Sequence, residues 1–151
     1  MKRITQWLGL GMVLLAIAGT DAMGLHFDGA KTASYTVQFD RGTQLPPGAD
    51  GTIEAVAGRL AENETLEAVI TGHSGTIGDP KANQELSRAR AVEVRERILD
   101  AMRANGDDAA DRIDVYGAGG SQPLVQEEDE ADRAYQRRLA RATVTVSVPL
   151  P

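Results

Sequence analysis

The chain has 151 residues, no cysteine, and 22 acidic against 16 basic side chains, for a formal net charge of −6. That length fits one modest domain, and without cysteine it must hold together by packing, with no disulfide, no thiolate nucleophile and no cysteine-based zinc site. The acidic balance makes nucleic acid and anionic lipid surfaces poor partners.

In chain order, Lys2 and Arg3 precede an apolar and glycine-containing run from Trp7 to Gly19, with small residues at Ala16, Ala18 and Ala22. A charged start, a short apolar stretch and an Ala-x-Ala-like exit are the parts of a secretory signal. The run is shorter than the roughly 20 residues needed to span a bilayer. Residues 1–22 are therefore read as a signal peptide, and the mature chain is expected in the periplasm. Without Lys2, Arg3 and Asp21, 14 basic and 21 acidic side chains remain. Residues 23–33 read as a flexible lead-in, and 34–151 as the folded domain.

Tyr35 to Phe39 alternates apolar and polar residues, as a half-buried strand does. A loop containing Pro46 and Pro47 follows, and Ile53, Val56, Ala57 and Leu60 then recur at helical spacing. Leu66 to Thr71 reads as a second strand. A polar loop from Gly72 to Pro80 leads into the longest helix, expected over residues 81–105. Asp79 suits its N-cap, Pro80 its first turn and Asn105-Gly106 its stop. Arg112 to Tyr116 reads as a third strand, closed by Gly117 to Gly120. Glu127 to Asp132 is an acidic, solvated run. A basic helical piece spans residues 135–141, and Thr143 to Val148 alternates as a last strand. The class is α/β, an α+β sandwich with helices packed on one face of a small mixed sheet.

The long helix carries the informative pattern. Leu86, Ala91, Val94, Ile98, Ala101 and Met102 form an apolar stripe, yet Asn83, Ser87 and Arg90 fall within it. An inward guanidinium is costly unless acceptors or an anion meet it. Two readings of Arg90 are open. It can pair internally with a carboxylate or loop carbonyls, or it can grip an anionic ligand beside the polar loop. His73, between a strand end and a glycine-rich loop, reads as a structural hydrogen-bonder. Ser74 is its neighbour in sequence, but adjacent side chains on extended chain point apart. Arg137, Arg138 and Arg141 either balance the acidic run or line the same pocket as Arg90. No metal-ligand spacing, nucleophile elbow, phosphate loop or dinucleotide fingerprint is present, so neither a cofactor nor an enzyme is indicated.

The stretch Ile70-Thr71-Gly72-His73-Ser74, then Gly78, then Asn83-Gln84-Glu85-Leu86-Ser87-Arg88-Ala89-Arg90-Ala91 resembles the signature of OmpA-like C-terminal domains, G-H-T-D-x-x-G followed by N-x-x-L-S-x-x-R-A. Tyr116 to Pro123 resembles the family's G-x-G-x-x-x-P segment, and the likeness runs from about residue 35 to 148. It implies a βαβαβ-(α)β order and non-covalent binding of the peptidoglycan stem peptide through diaminopimelate, at the cell wall or outer membrane. A loop Asp would hold the ligand's ammonium and the motif Arg, here Arg90, its carboxylate. Asn83 and Ser87 match the motif's polar positions. The loop Asp position is Gly75 in this chain, and Asp79, four residues on, is the nearest carboxylate in sequence. The family's N-R-R-V segment is resembled by Gln136-Arg137-Arg138-Leu139, several residues earlier than strand spacing suggests. The pocket is expected between His73–Pro80, the start of the long helix and Gly119–Gln122. Two functions follow as expectations: a peptidoglycan-binding module, or an envelope scaffold that keeps the fold and acts through protein partners.

Overall fold

Alternation carries through to the packed sheet. The computed structural model describes residues 26–28 and 32–149; the signal expected over residues 1–22 lies outside the described residues. Strands β1 (His26–Asp28) and β2 (Thr32–Gln38) are followed by helix α1 (Ala49–Ala61), strand β3 (Glu67–Gly72) and helix α2 (Pro80–Ala104). Strand β4 (Ile113–Gly117), helix α3 (Asp132–Leu139) and strand β5 (Arg141–Ser147) complete the order. The sheet runs β1-β2-β5-β3-β4, with β3 and β4 parallel and the other neighbours antiparallel. Residues 23–33, expected as a lead-in, thus contribute β1 and the start of β2.

One parity of each strand faces the helices. Ala33, Tyr35, Val37 and Phe39, with Ala68 and Ile70 and with Ala142, Val144 and Val146, are buried against Ile53, Val56 and Leu60 of α1 and Val94, Ile98, Leu99 and Met102 of α2. The other parity carries Thr36, Thr71, Thr143 and Thr145 on the open face, beside an exposed Val69. This is the one-faced sandwich expected from the sequence.

Helix α2 starts where its chemistry dictates. The Asp79 side chain accepts from the Ala82 amide at 2.7 Å, and Pro80 occupies the first turn, where an N–H would lack a partner. At the far end Gly106 takes a positive φ of 85°, and the Asp107 amide bonds back to the Met102 carbonyl.

Two expectations shift. Within the apolar stripe Leu86 is only half-buried, whereas Leu99 is fully enclosed. The C-terminal helix and strand also begin earlier than expected. Ala142 is fully buried and pairs across from Val37 and Gly72, so the strand parity extends upstream to Arg141. The alternation of Thr143 to Val148 conceals this start because alanine and arginine give a weak period-2 signal.

Candidate functional site

The ends of β3 and β4 and the first turns of α2 meet at one corner, and glycine makes this possible. A Cβ on Gly72 would lie 1.8 Å from the Ser87 carbonyl oxygen, and one on Gly117 would lie 2.6 Å from Ser87 Oγ. Ser87, fully buried, donates to the Gln84 carbonyl at 2.8 Å and accepts from the Gly119 amide at 2.8 Å. Gly119 holds a left-handed φ of 54°, and its carbonyl accepts from the Ser74 amide at 2.9 Å. Asn83 Nδ2 donates to the Ile77 carbonyl at 3.1 Å, and Gln84 Nε2 donates to the Gly117 carbonyl. The loops after β3 and β4 are thereby laced to the same helix face.

Between them opens a cavity of about 270 Å³, walled by Thr76, Gly78, Pro80, Asn83, Gln84 and residues 118–121. It lies between the three segments expected to bound a pocket. Of the residues proposed from sequence, Asn83 lines it. Asp79 stands at its rim with one carboxylate oxygen committed to the helix cap.

Arg90 lies beyond this wall, 4% exposed. Its Nε donates to the Gly42 carbonyl at 2.7 Å and its Nη1 to the His73 carbonyl at 2.8 Å, while the guanidinium carbon sits 5.3 Å from the Phe39 ring centroid. No carboxylate pairs with it among the described residues, and its Nη2 makes no hydrogen bond there. Burial lowers its pKa, but a guanidinium stays charged. Of the two internal partners open to Arg90, the loop carbonyls are the ones it meets.

His73 is buried on the open face of the sheet. Its Nε2 lies 3.1 Å from Thr143 Oγ1, and its Nδ1 has no partner among the described residues. Burial, with Arg141 alongside, pushes its pKa down to about 4, so the ring is neutral at physiological pH. Ser74 Oγ donates to the Gly75 carbonyl at 3.1 Å.

At Gly75 a Cβ would stand 2.5 Å from Oε1 of Gln136, on α3. That Gln136 Oε1 accepts from the Thr76 amide at 3.1 Å, and its Nε2 donates to Thr76 Oγ1 at 3.1 Å. Arg137 is exposed. Arg138 is engaged by the acidic run: its Nη2 meets Glu130 at 2.8 Å and the Val125 carbonyl at 2.7 Å. This contact holds the Glu130 carboxyl below its usual range. Neither arginine lies on the cavity wall.

The arginine heading the last strand is Arg141, three residues after Arg138. Arg141 is buried, donating to the Gln122 carbonyl at 3.1 Å, and burial lowers its pKa. Its sequence neighbours group it with the surface cluster; extending the strand period by one pair would separate it. Gln136 opens the segment that resembles the family's N-R-R-V, but nothing in the local pattern ties a helix near residue 136 to a loop near residue 75. Among the described residues no cluster of three potential metal ligands occurs, and no helix is long and apolar enough to cross a membrane.

A one-faced α/β sandwich with a pocket at the β3–α2 corner defines the class. The chain belongs to the OmpA family, whose model matches residues 38–137. It is 32% identical over 117 residues to the outer-membrane lipoprotein YfiB of Pseudomonas aeruginosa, covering 78% of this chain and 65% of that protein. It is 30% identical over 102 residues to outer membrane porin F of Pseudomonas fluorescens, covering 67% of this chain and 29% of the porin. The chain thus spans less than two thirds of the length of either relative. Its fold matches the peptidoglycan-associated lipoprotein of Burkholderia pseudomallei with a TM-score of 0.61 at 20% identity, over 74% of this chain and 89% of that one.

Proposed function

We propose that this chain is an exported, non-catalytic envelope domain that binds the peptidoglycan stem peptide at the β3–α2 corner. The observation that carries this reading is Arg90, a buried guanidinium at the family's ligand-arginine position with one terminal nitrogen left without a bond among the described residues. Two backbone carbonyls orient the guanidinium but do not neutralise it, and a carboxylate supplies both a charge and a bidentate acceptor. Asn83 and the cavity beside it offer room and polar groups for the neighbouring part of the peptide. The relationship to outer-membrane proteins and the fold shared with a peptidoglycan-associated lipoprotein support the same reading.

Gly75 favours a second reading, a scaffold acting through protein partners. Loss of one partner from a buried charged contact costs about 2–5 kcal/mol, enough to weaken a micromolar complex severely.

Sedimentation with purified sacculi separates the two. Arg90→Lys keeps the charge but loses the planar fork. Capture is expected to fall at least about tenfold at a temperature where the variant is fully folded. Capture indifferent to this change contradicts a role for Arg90. No capture of the parent, with capture gained by Gly75→Asp, gives the scaffold reading.

A further inference from the structure

The space that a side chain at Gly75 would fill is not empty. Gln136 enters it from α3, a helix more than fifty residues away in sequence. Its amide grips Thr76 through both ends, so its orientation is fixed: Nε2 faces Thr76 Oγ1 and Oε1 faces the Gly75 Cα. A carbonyl oxygen has two lone pairs, and the Thr76 amide uses one. The second is unclaimed among the described hydrogen bonds, and the side chain is half-buried. Arg90 bonds the His73 carbonyl, two residues before Gly75, so the guanidinium and the Gln136 amide brace one loop from opposite sides. Thr76, the residue Gln136 holds, is itself a wall of the cavity.

We propose that Gln136 is the second ligand-binding group of this site, with Oε1 accepting a hydrogen bond from the ammonium of the stem peptide where the loop carboxylate is missing. This rests on the peptidoglycan reading and deepens it. The acceptor arrives from a different element and carries no charge. The Arg90–Gln136 pair is therefore net positive, where an arginine and a carboxylate would cancel. Such a site keeps its grip on the ligand carboxylate and holds the ammonium by a neutral hydrogen bond alone.

The geometry supplies a test that leaves the backbone alone. Gln136→Glu is isosteric, retains an acceptor for the Thr76 amide, accepts from the Thr76 hydroxyl, and adds a charge at the proposed ammonium position. Capture by untreated sacculi is expected to rise about tenfold, the gain of a charged over a neutral acceptor for one hydrogen bond. Sacculi whose amino groups have been acetylated should show no such rise. Gln136→Leu, checked for an unchanged melting temperature, should bring capture by untreated sacculi down to the acetylated level. The inference is overturned if Gln136→Glu leaves capture unchanged, or raises it equally on both kinds of sacculi. Arg90→Lys run alongside keeps the two readings apart. Capture that depends on Arg90 but ignores residue 136 removes this inference alone, whereas capture that ignores Arg90 removes the stem-peptide reading beneath it. If the parent is not captured at all, the inference falls together with the stem-peptide reading beneath it.

Discussion

Gly72→Ala is expected to destabilise the protein by about 3 kcal/mol or more, lowering the melting temperature by about 10 °C or more. The added methyl would stand 1.8 Å from the Ser87 carbonyl oxygen, 2.8 Å from its carbonyl carbon and 3.1 Å from the Ala91 amide nitrogen. All three are helix backbone, which a rotamer change cannot move. The strand end and α2 would have to separate, and α2 is the element that holds Gly119 through Ser87 and the Gly117 carbonyl through Gln84. The damage should therefore spread to the cavity, and capture by sacculi should fail together with stability. Urea unfolding followed by circular dichroism reads the effect as a lower midpoint at unchanged slope. A variant as stable as the parent would mean that strand and helix do not meet as closely as described. The neighbouring Gly75→Asp is a useful contrast, because it meets only the side-chain amide of Gln136 and no backbone, and should cost far less stability.

A loss of stability between pH 6.5 and pH 4 belongs to His73. Its folded-state pKa is depressed from 6.5 to about 4, by burial first and by Arg141 second. Above pH 6.5 the ring is neutral whether the chain is folded or unfolded, and it exacts no penalty. As the pH falls below 6.5 the unfolded chain takes up a proton that the folded state refuses, so stability declines. Near pH 4 the folded ring protonates as well and the loss levels off, at about 3 kcal/mol in total. Among the described residues Nδ1 has no acceptor to soften this, and the arginine beside it opposes a second positive charge. His73→Gln keeps a polar group for Thr143 and cannot titrate. Its stability should be nearly flat over the same interval, where the parent's falls. Parallel pH profiles for the two proteins would contradict the placement of His73.

How much of this is legible in the sequence depends on the length of chain over which each signal is written. Helix α2 can be read almost to the residue because its cap, its proline and its terminal Asn-Gly are local chemistry. The central strands are legible from period-2 burial, which β2, β3 and β5 show because one sheet face is covered and the other is lined by threonine. Asn83, Ser87 and Arg90 stand out as polar residues in an apolar stripe, and the family resemblance gives them a common address.

What the sequence withholds is pairing at long range. Arg90 with the Gly42 carbonyl, Ser87 with the Gly119 amide and Gln136 with Thr76 are separated by 48, 32 and 60 residues. No spacing rule connects such partners. Arg141 escapes for a different reason. Its burial follows from strand parity, but the Arg141-Ala142 pair that begins the strand looks like the end of a basic helix. The cavity and Arg90 also prove to be neighbours across the loop, not one continuous wall, which only the folded chain reveals.

Whether ligand binds at the β3–α2 corner can be read from amide chemical shifts of the isotope-labelled protein, titrated with a soluble diaminopimelate-containing muropeptide. Binding there should give saturable shifts confined to residues 73–84, 117–121 and the neighbourhood of Arg90 and Gln136, with the Arg90 Nε–H resonance moving at the same midpoint. Shifts centred instead on the open threonine face, or none at millimolar muropeptide, would place the ligand elsewhere or remove it altogether.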